Sequence, residues 1–146
     1  YREATIEDLP FIIAEIVEDS VTPLDEDITA ADPNYTTAFN TIAADPNHEL
    51  WIVEEDGAPV ASFLLSYIPG IMRRGGWRGM IEGVHVVPSR RGRGVGDAMM
   101  RWAIERCRER GCVVVQLTSN KQRKDAHRFY ERLGFVASHE GFKLKL

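Results

Sequence analysis

The chain predicts a single α/β domain with one mixed, largely antiparallel central sheet flanked by helices. One observation is the alternation of segments with helical apolar spacing and segments with strand character. Another is the Gly, Pro and Asp punctuation between them, including an Asp-Gly hairpin signal at residues 56 and 57. The third is length: 146 residues allow one sizeable core, so residues 1–146 are read as one domain.

Residues 1–4 make a short first strand. Thr5 and Asp8 fit a capping box, after which Leu9, Ile12, Ile13, Ile16 and Val17 recur at helical spacing. Pro10 must sit where its missing N–H and its ring do no harm. Residues 19–33 form an acidic connection with Pro23 and the Asp25-Glu26-Asp27 cluster, and a second helix covers 35–44, ended by Asp45-Pro46. Strands 50–54 and 59–68 flank the Asp-Gly turn. Pro69-Gly70 and Gly75-Gly76 bracket a flap carrying Arg73 and Arg74. The strand 77–87 is interrupted at Gly83, which marks a bulge, a close backbone approach or a packing accommodation.

From Val95 the period returns to helical, with Met99, Trp102 and Ala103 on the apolar face and Gly111 as the stop. Residues 112–117 are nearly continuously apolar, the character of a central strand covered on both faces. Ala126, Phe129, Tyr130 and Leu133 mark a last helix stopped by Gly134, and residues 135–138 with 142–146 form a closing hairpin around Glu140-Gly141.

Charge is unevenly placed. Residues 1–56 carry fifteen acidic side chains against one basic, and residues 57–146 carry seven against seventeen. A phosphate-rich ligand is drawn to the second part and a cationic co-substrate to the first, or the two faces simply attract each other. The bases are scattered over several elements without a stacking platform of aromatic side chains, so nucleic acid is not expected as a partner. No apolar stretch approaches the roughly 20 residues of a membrane span, and the start is too acidic for a signal peptide, so no membrane association and a cytoplasmic location are expected. Cys107 and Cys112 read as free thiols, and the four histidines form no ligand cluster with acids or cysteines, so no metal is expected.

The run Arg90-Arg91-Gly92-Arg93-Gly94-Val95-Gly96 lies between strand and helix. Glycines there free backbone N–H groups to converge at a helix start, the geometry that holds a diphosphate. A dinucleotide fold would place such a turn after its first strand, with an acid ending the next one; a P-loop would need Gly-Lys-Ser/Thr. Neither pattern is present.

Val86-x-Pro88 followed by Arg91-x-x-Gly94-x-Gly96, and later Asn120 with Ala126, Phe129-Tyr130 and Leu133-Gly134-Phe135, together resemble the Gcn5-related N-acetyltransferase (GNAT) superfamily. The opening Arg2-Glu3-Ala4-Thr5 with Asp8-Leu9-Pro10 is similar to many members, so the resemblance spans nearly the whole chain. It implies a GNAT-like acyl-CoA-binding fold and an enzyme that passes an acetyl group from acetyl-CoA directly to a primary amine. Backbone groups of Val86 and Val87 would pair with pantetheine, and N–H groups of Arg91, Gly92, Arg93, Gly94, Val95 and Gly96 would surround the diphosphate. Arg91 and Arg93 would add charge. Asn120 would support the pantetheine arm or cap the helix that follows.

In the same resemblance Tyr130 lies where members place a tyrosine beside the thioester sulfur, to protonate the leaving thiolate; the alternative is a ring packed on the helix. Glu82 is the expected group at the acceptor, relaying the amine's proton through water or holding a cationic substrate in register, unless it pairs with Arg78. His85 is a second candidate base, since an imidazole titrates near neutrality. Strict alternation puts Glu82 and His85 on opposite faces unless a bulge at Gly83 changes the phase. His127, three residues before Tyr130, can share its face.

The acidic first part favours a small cationic amine as acceptor, whereas Arg73 and Arg74 suit an acceptor carboxylate. A protein N-terminus or lysine is an alternative acceptor, and a noncatalytic acyl-CoA-binding or sensing module an alternative function. A homodimer fits the resemblance, although no heptad or isolated apolar stripe specifies one.

Overall fold

In the computed structural model, which describes residues 1–21, 26, 29–144 and 146, the sheet grows from a chemically specified hairpin. Asp56 and Gly57 take φ of 54° and 76°, the paired left-handed backbone of a tight hairpin turn. The flanking strands β2 (His48–Glu55) and β3 (Ala58–Ile68) therefore leave it antiparallel. A short β1 (Arg2–Glu3) pairs with β2, and β4 (Trp77–Val86) pairs antiparallel with β3. β5 (Cys112–Leu117) then joins β4 in parallel, giving the spatial order β1-β2-β3-β4-β5.

Helix α1 (Leu9–Glu18) starts where Asp8 accepts the Thr5 N–H at 2.7 Å and both nitrogens of the Arg2 fork at 2.7 and 2.8 Å. Pro10 is its second residue, where a missing N–H costs nothing. Helix α2 (Pro33–Ala44) begins with Pro33, and the Asp32 carboxylate accepts the Asn34 N–H at 2.8 Å. Of the acidic connection before it, Pro23, Asp25 and Asp27 lie outside the described residues. The flap after β3 holds a single turn, α3 (Met72–Gly75), in which Arg73 and Arg74 have left-handed φ of 56° and 59°. Helices α4 (Val95–Glu109) and α5 (Lys124–Arg132) follow β4 and β5, stopped by Gly111 and Gly134 with φ of 75° and 93°.

The core lies between α4 and one face of the sheet. Phe63, Leu65 and Tyr67 of β3 and Ile81 of β4 meet Met99, Met100, Ala103 and Cys107 of α4. The approach is close: a Cβ on Gly79 would sit 2.4 Å from Cys107 Sγ. The Glu49 carboxylate staples β2 to α4, accepting from Arg106 Nη2 and Nε at 3.0 Å each, Tyr67 Oη at 2.9 Å and Trp51 Nε1 at 3.1 Å.

Two expectations are corrected. The apolar strand β5 is an edge among the described residues, because the closing hairpin that would flank it does not form there. Residues 135–144 and 146 have no strand structure, and Phe142 and Leu144 are 92% and 87% exposed; Lys145 lies outside the described residues. A lone two-stranded hairpin gains too little without a covering layer, and Phe142 and Leu144 find none among the described residues.

Burial opposes ionisation of Glu49, but the hydrogen bonds from Arg106, Tyr67 and Trp51 outweigh it and hold the carboxyl below its usual range. A depressed value stabilises the fold above the ordinary carboxylate pKa and is lost as pH falls through the folded one. In urea at pH 7, Glu49→Gln is expected to be less stable by about 1–3 kcal/mol, and the gap should close as pH falls below about 4. Gly79→Ala should cost about 1–3 kcal/mol in the same assay, by overpacking Cys107.

Candidate active site

The site begins where two parallel strands part. β4 and β5 are paired from Trp77 and Cys112 as far as Ile81 and Leu117, after which β5 ends and β4 runs on to Val86. Residues 82–86 consequently present an open edge towards the loop 118–123. An extended ligand arm can hydrogen-bond along such an edge as an added strand would. At its far end Val86 already has a partner, since Arg91 Nε donates to its carbonyl at 2.9 Å. Val87 is engaged on both sides: its N–H donates to Val60 O and its carbonyl accepts the Arg90 N–H, both at 2.9 Å.

The glycine turn follows directly. Gly92 and Gly94 have φ of 72° and 86°, and Gly94 caps α4 in the left-handed conformation. A Cβ on either would meet nothing within 4 Å, so backbone conformation rather than space selects glycine. The first turn of α4 holds Val95 and Gly96, whose N–H groups open towards the turn. Gly96 lets the helix approach Phe129 of α5 and Val86 of β4; a Cβ there would lie 3.6 and 3.9 Å from their side chains. Arg91 and Arg93 are exposed beside this helix start.

Gly83 does change the phase of β4. Its φ is 56°, and the register runs from Leu64 opposite Glu82 to Ser62 opposite His85, so Gly83 and Val84 together face Phe63. Three residues on β4 thus match two on β3, which brings Glu82 and His85 to the same face of the sheet. That face is the one opposite α4. Glu82 is exposed there and forms no ion pair with Arg78 or any other cation among the described residues.

His85 has a partner that the sequence reading did not name. Asp19, at the C-terminal end of α1, approaches His85 Nδ1 at 3.1 Å and Arg91 Nη2 at 3.6 Å, and forms a close ion pair with Arg123 Nη2. Arg123 Nη2 also donates to the Asp19 carbonyl at 3.0 Å. Burial works against ionisation of Asp19, yet the hydrogen bonds from His85 and Arg123 prevail and pull its carboxyl down to about 2. One turn earlier on α1, Glu15 is buried, its Oε2 without a partner among the described residues; burial raises its carboxyl, opposed by the charges of Arg91 and His85. An acid at a helix C-terminus opposes the helix dipole, and α1 has no base in its last turn. That mismatch was the available signal for Asp19.

Tyr130 is partly buried between Phe129 and Phe135, with ring centroids 5.2 and 6.0 Å away, and its hydroxyl has no hydrogen bond among the described residues. Burial pushes its phenol up; the nearby Arg123 lowers it and Asp19 raises it, which locates the hydroxyl near that ion pair. Asn120 Oδ1 accepts the Gln122 N–H at 2.9 Å and its carbonyl accepts from Arg123 at 3.0 Å, so the side chain supports the turn into α5. His127 is turned away from Tyr130 chemistry, with Nε2 2.9 Å from the Asn120 carbonyl. Arg73 and Arg74 are exposed on the flap, without a carboxylate partner among the described residues.

Residues 13–135 match the acetyltransferase (GNAT) family. The aminoalkylphosphonate N-acetyltransferase of Salmonella typhimurium is 31% identical over 141 residues, 97% of this chain and 87% of that one. The glucosamine 6-phosphate N-acetyltransferase of Trypanosoma brucei brucei is 39% identical over 90 residues, 62% of this chain and 59% of that one. Among solved structures, a transcriptional regulator from Bacillus halodurans C-125 superposes with a TM-score of 0.90 at 40% identity, covering 99% of this chain and 97% of that one. Fold order, parted strands, glycine turn and family match agree, and the chain belongs to the GNAT family of acetyl-transferring enzymes.

Proposed function

We propose that the chain transfers an acetyl group from acetyl-CoA directly to the primary amine of a small metabolite. The observation that carries this reading is the open edge of β4 after Ile81, which runs into the glycine turn at one end and faces the α5 side chains across the gap. The edge suits the amide-bearing pantetheine arm. The α4 N-terminus, with Arg91, Gly92, Arg93, Gly94, Val95 and Gly96, suits the diphosphate. Asn120 lies on the loop facing that edge, and its amide nitrogen is left for the arm. Arg91 must release the Val86 carbonyl for the arm to use it fully, which frees its guanidinium for a phosphate.

An ammonium has no lone pair, so the acceptor must lose a proton before it attacks. Glu82, exposed on the same face as His85, holds the cationic amine in register. Tyr130 donates its hydroxyl proton to the departing sulfur, which keeps the thiolate from attacking back. No covalent acyl-enzyme is required.

A small cationic acceptor fits the acidic first part of the chain and Glu82, which has no ion-pair partner among the described residues. A second reading has its own support: Arg73 and Arg74 stand without acidic partners among the described residues, and the two named relatives act on amines that carry a phosphonate or phosphate. In that reading the acceptor bears an anionic group held by the flap.

Thiol release from acetyl-CoA over a panel of spermidine, 2-aminoethylphosphonate and glucosamine 6-phosphate tests both readings. Amine-dependent release is expected; cofactor binding without it would instead mark a noncatalytic acyl-CoA-binding module. Tyr130→Phe should lower turnover roughly 10- to 1,000-fold, about 1.4 to 4 kcal/mol, with acetyl-CoA affinity little changed. Gly94→Val should raise the KM for acetyl-CoA roughly 10-fold, because a β-branched residue resists positive φ by about 1–2 kcal/mol.

A further inference from the structure

His85 and Asp19 form a carboxylate–imidazole pair to which the transfer just described assigns no role. Asp19 is held by Arg123 from the start of α5, and its Oδ2 lies 3.1 Å from His85 Nδ1. An ionised carboxylate can only accept a hydrogen bond, so Nδ1 is the donor in this pair, and in the neutral ring the lone pair then falls on Nε2. Among the described residues Nε2 has no hydrogen-bond partner. The ring is neither sealed nor loose, its side chain being 13% exposed. The Gly83 bulge places it on the face that carries Glu82, one bulged step along the same strand.

We propose that His85 Nε2 takes the proton released by the acceptor ammonium, with Asp19 as the positioning residue that fixes the tautomer and faces the imidazolium that forms. This rests on the acetyl-transfer reading and adds the base to it. The ammonium gives one proton to Nε2, and the nitrogen lone pair forms a bond to the thioester carbonyl carbon. As the carbon–sulfur bond breaks, Tyr130 protonates the sulfur; the second N–H proton, lost when the amide forms, restores the phenol. The proton on His85 leaves to solvent, so one acetyl group moves and one proton is released per turnover.

The charges around the ring favour this role. Asp19 and Glu15 face it from α1, Glu82 stands on its own strand, and Arg91 from the glycine turn and Arg123 from the start of α5 oppose them. Asp19 lies between the ring and both arginines, so the nearest charge to an imidazolium is a carboxylate. Tyr130 is within electrostatic reach of both Asp19 and Arg123.

The test is the pH dependence of kcat for the whole chain and its variants, with whichever of the three amines gives thiol release. The parent should show a one-proton acidic limb. His85→Gln should lose that limb and about 100-fold in kcat, with acetyl-CoA affinity by calorimetry within about threefold of the parent. Asp19→Asn should keep the limb but move it to lower pH, since the imidazolium loses its counter-charge. Glu82→Gln should keep the limb in place and raise the acceptor KM. A limb that survives His85→Gln, vanishes with Glu82→Gln or is unmoved by Asp19→Asn overturns the proposal.

Should His85→Gln fail to fold, an NMR titration of the His85 ring in the parent decides: a midpoint coinciding with the kinetic limb supports the assignment, and a separate midpoint overturns it. Absence of thiol release by the parent with all three amines would instead sink the acetyl-transfer reading, and this inference with it.

Discussion

The Asp19 carboxylate is where three separated pieces of the chain are made to agree. It draws in His85 from β4, Arg91 from the glycine turn and Arg123 from the start of α5, while its own backbone carbonyl takes a further hydrogen bond from Arg123. Mostly buried charges are expensive unless paired and hydrogen-bonded, and here each partner supplies part of that compensation. The result ties the end of α1 to the start of α5, the glycine turn and β4.

The gap itself follows from strand lengths. β5 stops at Leu117 while β4 continues to Val86, so the parallel ladder leaves a polar edge unpaired. Such an edge is normally a liability, and a site that recruits an amide-rich ligand turns it into a binding surface. The bulge at Gly83 acts on the same strand for a different purpose, re-aiming one side chain. In an unbulged strand of the same residues, His85 would point to the α4 face and Glu82 would stand alone.

Much of this was legible from residue order. The Asp56-Gly57 turn, the stops at Gly111 and Gly134 and the glycine run before α4 each depend on local backbone conformation, which residue type specifies directly. Gly83 was recognised as an interruption, and the structure settles that it is a bulge. The closing hairpin and the central place of β5 were misread for one reason: apolar residues predict strand character, and pairing needs a neighbour that covers it. Asp19 was seen only as part of an acidic stretch, since nothing in the sequence relates it to Arg123, which lies 104 residues further on.

From its residues alone this chain declared its class of fold, its glycine turn, its family and the identity of Tyr130 and Glu82 as groups to watch. These depend on short-range patterns, in which spacing along the chain maps onto a helix face, a strand face or a turn. The ion-pair hub, the common face of Glu82 and His85 and the approach of His85 Nδ1 to Asp19 were decided by the tertiary structure. Each is set by strand register or helix docking, and which partner a charge such as Asp19 takes 104 residues away is not specified by spacing along the chain.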